Sequence, residues 1–80
     1  MTYEAIAHNT ADTIVAVLRE GKAKYPHDPW PTRTDAEDVD HAIAHLLAYA
    51  EGNHDEPHLK HAITRLALML ARQHLKGHNQ

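Results

Sequence analysis

Between Asp35 and His61 the chain gathers five histidines and seven carboxylates, bracketing one short turn. No other stretch concentrates groups of this kind. On a helix, residues three or four apart share a face, so His41 and His45 project together, as do His58 and His61 further on. If a hairpin brings the two pairs into one cleft, imidazoles with Asp55, Asp38 or Glu51 nearby suit Zn, Mn, Fe or Ni, whereas Mg favours the carboxylates. Spacing alone leaves the choice among these ligands open. The same spacings also arise in histidines that merely face solvent, and His8, His27, His74 and His78, which have no matching cluster, read that way. Four of the acids, Asp35, Glu37, Asp38 and Asp40, fall in the first turns of a helix, where its dipole stabilises negative charge. Of these only Asp38 shares a face with His41 and His45.

Every residue after Glu56 that is formally charged is basic: Lys60, Arg65, Arg72 and Lys76. Arg65 and Arg72 lie seven apart on the strip of His58 and His61, and guanidinium presents a planar fork to phosphate oxygens. Pairing with the acidic helix is the other use of such a strip. Trp30 and Tyr25 sit in a proline-rich loop, where they either cap the core or stack on a base. Cysteine and serine are absent and no Gly-rich phosphate loop occurs, which excludes nucleophilic Ser or Cys catalysis and P-loop chemistry. A net charge of -3 argues against general nucleic-acid binding.

The elements that must position these groups are helices. Ile6, Ile14, Val17 and Leu18 recur at helical spacing over residues 2–24, with an early bend expected at His8-Asn9-Thr10. Three prolines forbid helix in the loop 25–34. Thr34 followed by Glu37 is a capping-box pattern that opens a helix over 35–51, with Val39, Ala42, Ile43, Leu46 and Ala50 as its core stripe. Gly52 and Asn53 end it, and Asp55-Glu56-Pro57 opens a third helix over 56–76. That helix carries Leu59, Ile63, Leu66, Met69 and Leu70 inward, with Leu68 and Leu75 on a second strip that suggests a partner surface. Fraying is expected from Gly77 on.

The expected fold is all-α: residues 1–80 as one small three-helix domain with a central helical hairpin. A chain of this size buries only about 60 % of its unfolded surface. Without cysteine, a metal or self-association must supply the missing stability, so a homo-oligomer is expected. No apolar run spans a bilayer and the first ten residues lack a basic segment, so a cytoplasmic protein without a signal peptide is expected.

Two blocks also resemble a known family. Ile14 to Trp30, reading IVAVLREGKAKYPHDPW, resembles the "V..VL..GA.KY....W" segment of the phage and bacterial dATP/dGTP diphosphohydrolase N-terminal-domain family. His41 to His61 is similar to its "RHL.A...GE..D...G..HL.HA" segment, through His45-Leu46-Leu47-Ala48, Glu51-Gly52, Asp55 and Pro57-His58-Leu59-Lys60-His61-Ala62. The likeness runs from Ile14 to Leu70. It implies an all-helical phage-type protein, cytoplasmic in the bacterial host, that handles purine nucleotides. Residue by residue it reaches Lys24, Tyr25, Trp30, His45, Asp55, His58 and His61, and the last four are the ligand set expected for a divalent metal such as Mg, Mn or Zn. After Gly52 the family has Glu where this chain has Asn53, and the turn that follows is shorter, leaving Glu51 or Glu56 as substitutes.

The expected partner is thus a nucleotide or other phosphate-bearing small molecule, held by His45, His58, His61, Lys60, Arg65, Arg72, Lys24, Tyr25 and Trp30. Binding, including sequestration of a host immune second messenger, ranks first. A metal-dependent dATP/dGTP diphosphohydrolase with Asp38 or Glu51 as base ranks second, and a protein-protein inhibitor third.

Overall fold

In the computed structural model, which describes residues 1–77, three α-helices follow one another: α1 Tyr3–Lys24, α2 Asp35–Ala50 and α3 His58–Leu75. The all-α expectation holds. Thr2 caps α1 by accepting from the Ala5 amide at 3.0 Å. The polar stretch expected to bend this helix does not interrupt it, and the Thr10 hydroxyl donates back to the Ile6 carbonyl at 2.8 Å. Among the described residues no helix is long and apolar enough to cross a membrane. His78 lies outside the described residues.

Local chemistry explains the hairpin. Thr34 Oγ1 accepts from the Glu37 amide at 3.3 Å and starts α2. At its other end Gly52 takes φ +82°, the Asn53 amide donates to Ala48 O and the Gly52 amide to Tyr49 O, which is the paired bonding of a Schellman stop. Gly52→Ala is therefore expected to cost about 1 kcal/mol, although a Cβ there would meet no atom. Gly21→Ala, inside α1 and equally unhindered, should instead gain roughly 0.5–1 kcal/mol. Urea midpoints check both, and a parental midpoint for Gly52→Ala would contradict the backbone argument.

The third helix begins two residues later than expected. Pro57 occupies the cap position without a side-chain hydrogen bond, and Glu56 turns its carboxylate to neighbouring imidazoles instead.

The packing overturns the expected core. Helix α3 packs against both α2 and α1, whereas α1 and α2 do not meet among the described residues. Buried apolar side chains reduce to Ala42, Ala62 and Leu68. Val39, Ile43 and Leu46 of α2, and Leu59, Leu66 and Leu70 of α3, all face outward at 37–66 % exposure. The reason is that the α2–α3 contact is polar: Asp38, His58 and Arg72 are buried, with His45 and Arg65 beside them. Leu68, placed off the core stripe by periodicity, is buried; Leu75 of the same strip is exposed.

Candidate functional site

Asp38 anchors the hairpin. Its carboxylate has no exposed surface, and Oδ1 accepts from Arg33 Nε at 3.0 Å and Arg65 Nη1 at 2.8 Å, while Oδ2 lies 2.5 Å from Arg72 Nη2. Burial alone would raise the Asp38 pKa. The hydrogen bonds from Arg65 and Arg72 and the charges of Arg33 and Arg72 outweigh it, holding the carboxyl below its ordinary value. Arg72 also donates to Asp35 Oδ1 at 2.8 Å and to the Trp30 carbonyl at 3.1 Å, so the same centre ties down the proline loop. The Asp35 hydrogen bond leads in raising the Arg72 pKa, against the effect of burial. An ionised Asp38 enclosed in this way is not a proton acceptor near neutral pH.

Two turns away, α2 and the start of α3 bring imidazoles together. His45 Nδ1 and His58 Nδ1 stand 2.9 Å apart, and Glu56 Oε1 lies 3.8 Å from the first and 4.0 Å from the second. His61 Nδ1 meets the same Glu56 oxygen at 3.2 Å. Two neutral nitrogens at hydrogen-bond distance require complementary tautomers, one donating and one accepting. Burial first, then the neighbouring His61, lowers the His45 pKa, against an opposing pull from Glu56. His45 thus favours the neutral form that binds metals.

The group His45, Glu56 and His58 could hold a metal ion. A tetrahedral ion bound at about 2.0–2.1 Å has its ligand atoms about 3.3 Å apart. The observed edges straddle that figure, and half-exposed Glu56 has the freedom to close the longer two. His58 Nε2 is buried without a hydrogen-bond partner, which costs about 1–3 kcal/mol. Stability alone would not select a histidine there.

The group borders a cleft of about 870 Å³ between α1, the proline loop and α3. Of the residues expected at a ligand site, Lys24, Tyr25, Trp30, His45, His61 and Arg65 line it. His58 is buried behind them, Arg72 is committed to Asp35, Asp38 and Trp30, and Lys60 lies outside the cleft wall. Asp55 is exposed and outside the imidazole group; Glu56 provides its carboxylate. His41 likewise stays exposed, since only His45 of that pair turns toward α3.

Arg33 of the site escaped the sequence reading, and Glu56 entered it only as one of two substitutes for the family's Glu. Arg33 stands just ahead of the acidic run and was readable as its counter-charge. Periodicity did not place Glu56 as a ligand, because it acts from outside the helix to which that pattern assigned it.

Comparison with the curated proteins and with the solved structures finds no match. Among the protein families, however, residues 1–80, the whole chain, match the one described as dATP/dGTP diphosphohydrolase, N-terminal, and the chain belongs to that family.

Proposed function

We propose that the chain binds a purine nucleotide in the cleft, with its phosphates directed to a divalent cation at His45, Glu56 and His58. The carrying observation is that a metal-competent group opens on a cleft whose volume, about 870 Å³, falls within the range of small-molecule sites. Arg65 and Lys24 supply further positive charge, and Tyr25 and Trp30 offer aromatic faces to a base, a contact worth about 1–3 kcal/mol. The family's nucleotide chemistry agrees with this reading. A cyclic dinucleotide messenger presents the same groups, so sequestration falls within it.

Hydrolysis is the second reading, favoured by the donor set: two histidines and one carboxylate leave a coordination position open for water or a phosphoryl oxygen. A bound cation would polarise that oxygen and acidify water. Neither base expected from the sequence serves it, since Asp38 is enclosed by arginines and Glu51 lies outside the cleft. Asp28 and Glu20, which do line it, pair with Arg33 and Lys24. Binding therefore ranks above turnover.

Calorimetry with dATP, dGTP and cyclic dinucleotides in Mn or Zn buffer tests both. Heat with at least one purine nucleotide, abolished by chelator, is expected; silence across the whole set overturns the proposal. Metal-dependent release of pyrophosphate or phosphate in the same mixtures would establish hydrolysis.

A further inference from the structure

Val39, Ile43, Leu46 and Ala50 are separated by four, three and four residues, and so are Leu59, Ile63, Leu66 and Leu70. This is the seam pattern by which helices pack on one another along a bundle. Neither seam is spent within the chain, because the large side chains of both stand mostly exposed. At about 100° per residue, the seams lie about a quarter-turn (α2) and a third of a turn (α3) from the residues that join the two helices, in the same sense along the sequence. The joining pairs Asp35–Arg72, Asp38–Arg65 and His45–His58 show that the helices run antiparallel. In an antiparallel pair, equal offsets of this sense bring both seams out on one side. The hairpin thus presents a single apolar face of two parallel ridges.

We infer that this face is covered by a second copy of the chain, forming a two-fold dimer whose α2–α3 hairpins make a four-helix bundle. Six large side chains at 37–66 % exposure on one side give several hundred Å², approaching the roughly 800 Å² per partner of stable interfaces. The occupant is a second copy because the face is self-complementary in charge as well as shape. Beyond the internal ion pairs of Asp35 and Asp38 with Arg65 and Arg72, α2 carries Glu37 and Asp40 with no Lys or Arg, and α3 carries Lys60 with no acid. An axis parallel to the helices sets each α2 across from the other copy's α3, with Asp40 of one and Lys60 of the other on the same flank. An axis across them would set α2 on α2 and forgo that attraction. The dimer also supplies the apolar burial that Ala42, Ala62 and Leu68 cannot provide, and it leaves the cleft, which α1 walls from the other flank, accessible. It stands independently of the nucleotide reading.

Cysteine-free wild type makes the test direct. Light scattering on the full chain should give twice the 9.0 kDa mass, and a single-chain mass at micromolar concentration overturns the dimer. Mixed Ile43→Cys and Ile63→Cys proteins should join as heterodimers with a short bismaleimide. Preferential joining of Ile43→Cys to itself, or joining of Ala11→Cys on exposed α1 in their place, refutes the arrangement. Leu66→Glu should yield monomer or lose helical circular dichroism while Leu66→Met does neither. A Leu66→Glu protein that keeps both dimer mass and helicity overturns the interface.

Discussion

Asp38→Ala is expected to be the most damaging single substitution in the described structure, lowering stability by about 3–5 kcal/mol. The loss follows from what stays behind. Arg33, Arg65 and Arg72 converge on one carboxylate. Without it three guanidinium groups repel one another, and Arg72, only 4 % exposed, keeps just Asp35 as counter-ion. A domain of this length has about 4–12 kcal/mol in all, so the loss would take at least about a quarter of its stability. Asp38→Asn, which retains acceptor capacity but no charge, should fall between; Asp35→Ala, at the exposed edge, should cost no more than about 1 kcal/mol. Denaturant titration followed by circular dichroism measures all three, and an Asp38→Ala midpoint near the parental one would refute the centre. The pH dependence has a definite sign. A carboxyl whose folded pKa lies below the ordinary 3.8 contributes stability that is present above that value and is lost as pH falls through the folded pKa. Acid unfolding assigned to Asp38 therefore belongs below pH 3.8, and the Asn variant should lack that component.

His58→Leu is expected to separate metal binding from folding. It removes one nitrogen of the His45–Glu56–His58 group together with the partnerless Nε2. Loss of one ligand in three should weaken Zn or Mn binding by more than the about 10–100-fold typical of outer-sphere changes. Because the orphaned nitrogen goes too, stability in chelator should stay within about 1 kcal/mol of the parent. Asp55→Ala, outside the group, should leave affinity unchanged, and Glu56→Gln should lower it. Metal titration with an indicator reads the affinities. Undiminished affinity in His58→Leu would remove this group from consideration, and a collapse of the metal-free fold would show that His58 serves structure first.

The helix boundaries were legible in the sequence because their causes are local. Thr34 with Glu37 starts one helix, the positive φ of Gly52 stops it, and the prolines from Pro26 to Pro31 keep the loop open. The direction in which α2 faces was not legible. Val39, Ile43, Leu46 and Ala50 form a regular stripe, but so do Asp38, Ala42 and His45, and the periodicity says only which residues share a side. The polar stripe turned inward because α3 offers matching partners, and that match lies 27 residues away in the Asp38–Arg65 bond. The arginines illustrate the same limit. Arg65 and Arg72 suited either phosphate or the acidic helix; the structure gives Arg72 to the helix and the Trp30 carbonyl and leaves Arg65 in contact with both Asp38 and the cleft.

Among the described residues helix α1 packs on α3 and not on α2, and the cleft runs along that junction. Whatever occupies the cleft bridges the part of the molecule least tied to the rest. Occupancy and fold stability are thus one equilibrium observed from two ends: a ligand at 100 times its Kd would add about 2.7 kcal/mol to the unfolding free energy. A melting curve is accordingly a binding assay for this chain, with the amides of α1 as the reporters that should gain most protection from exchange.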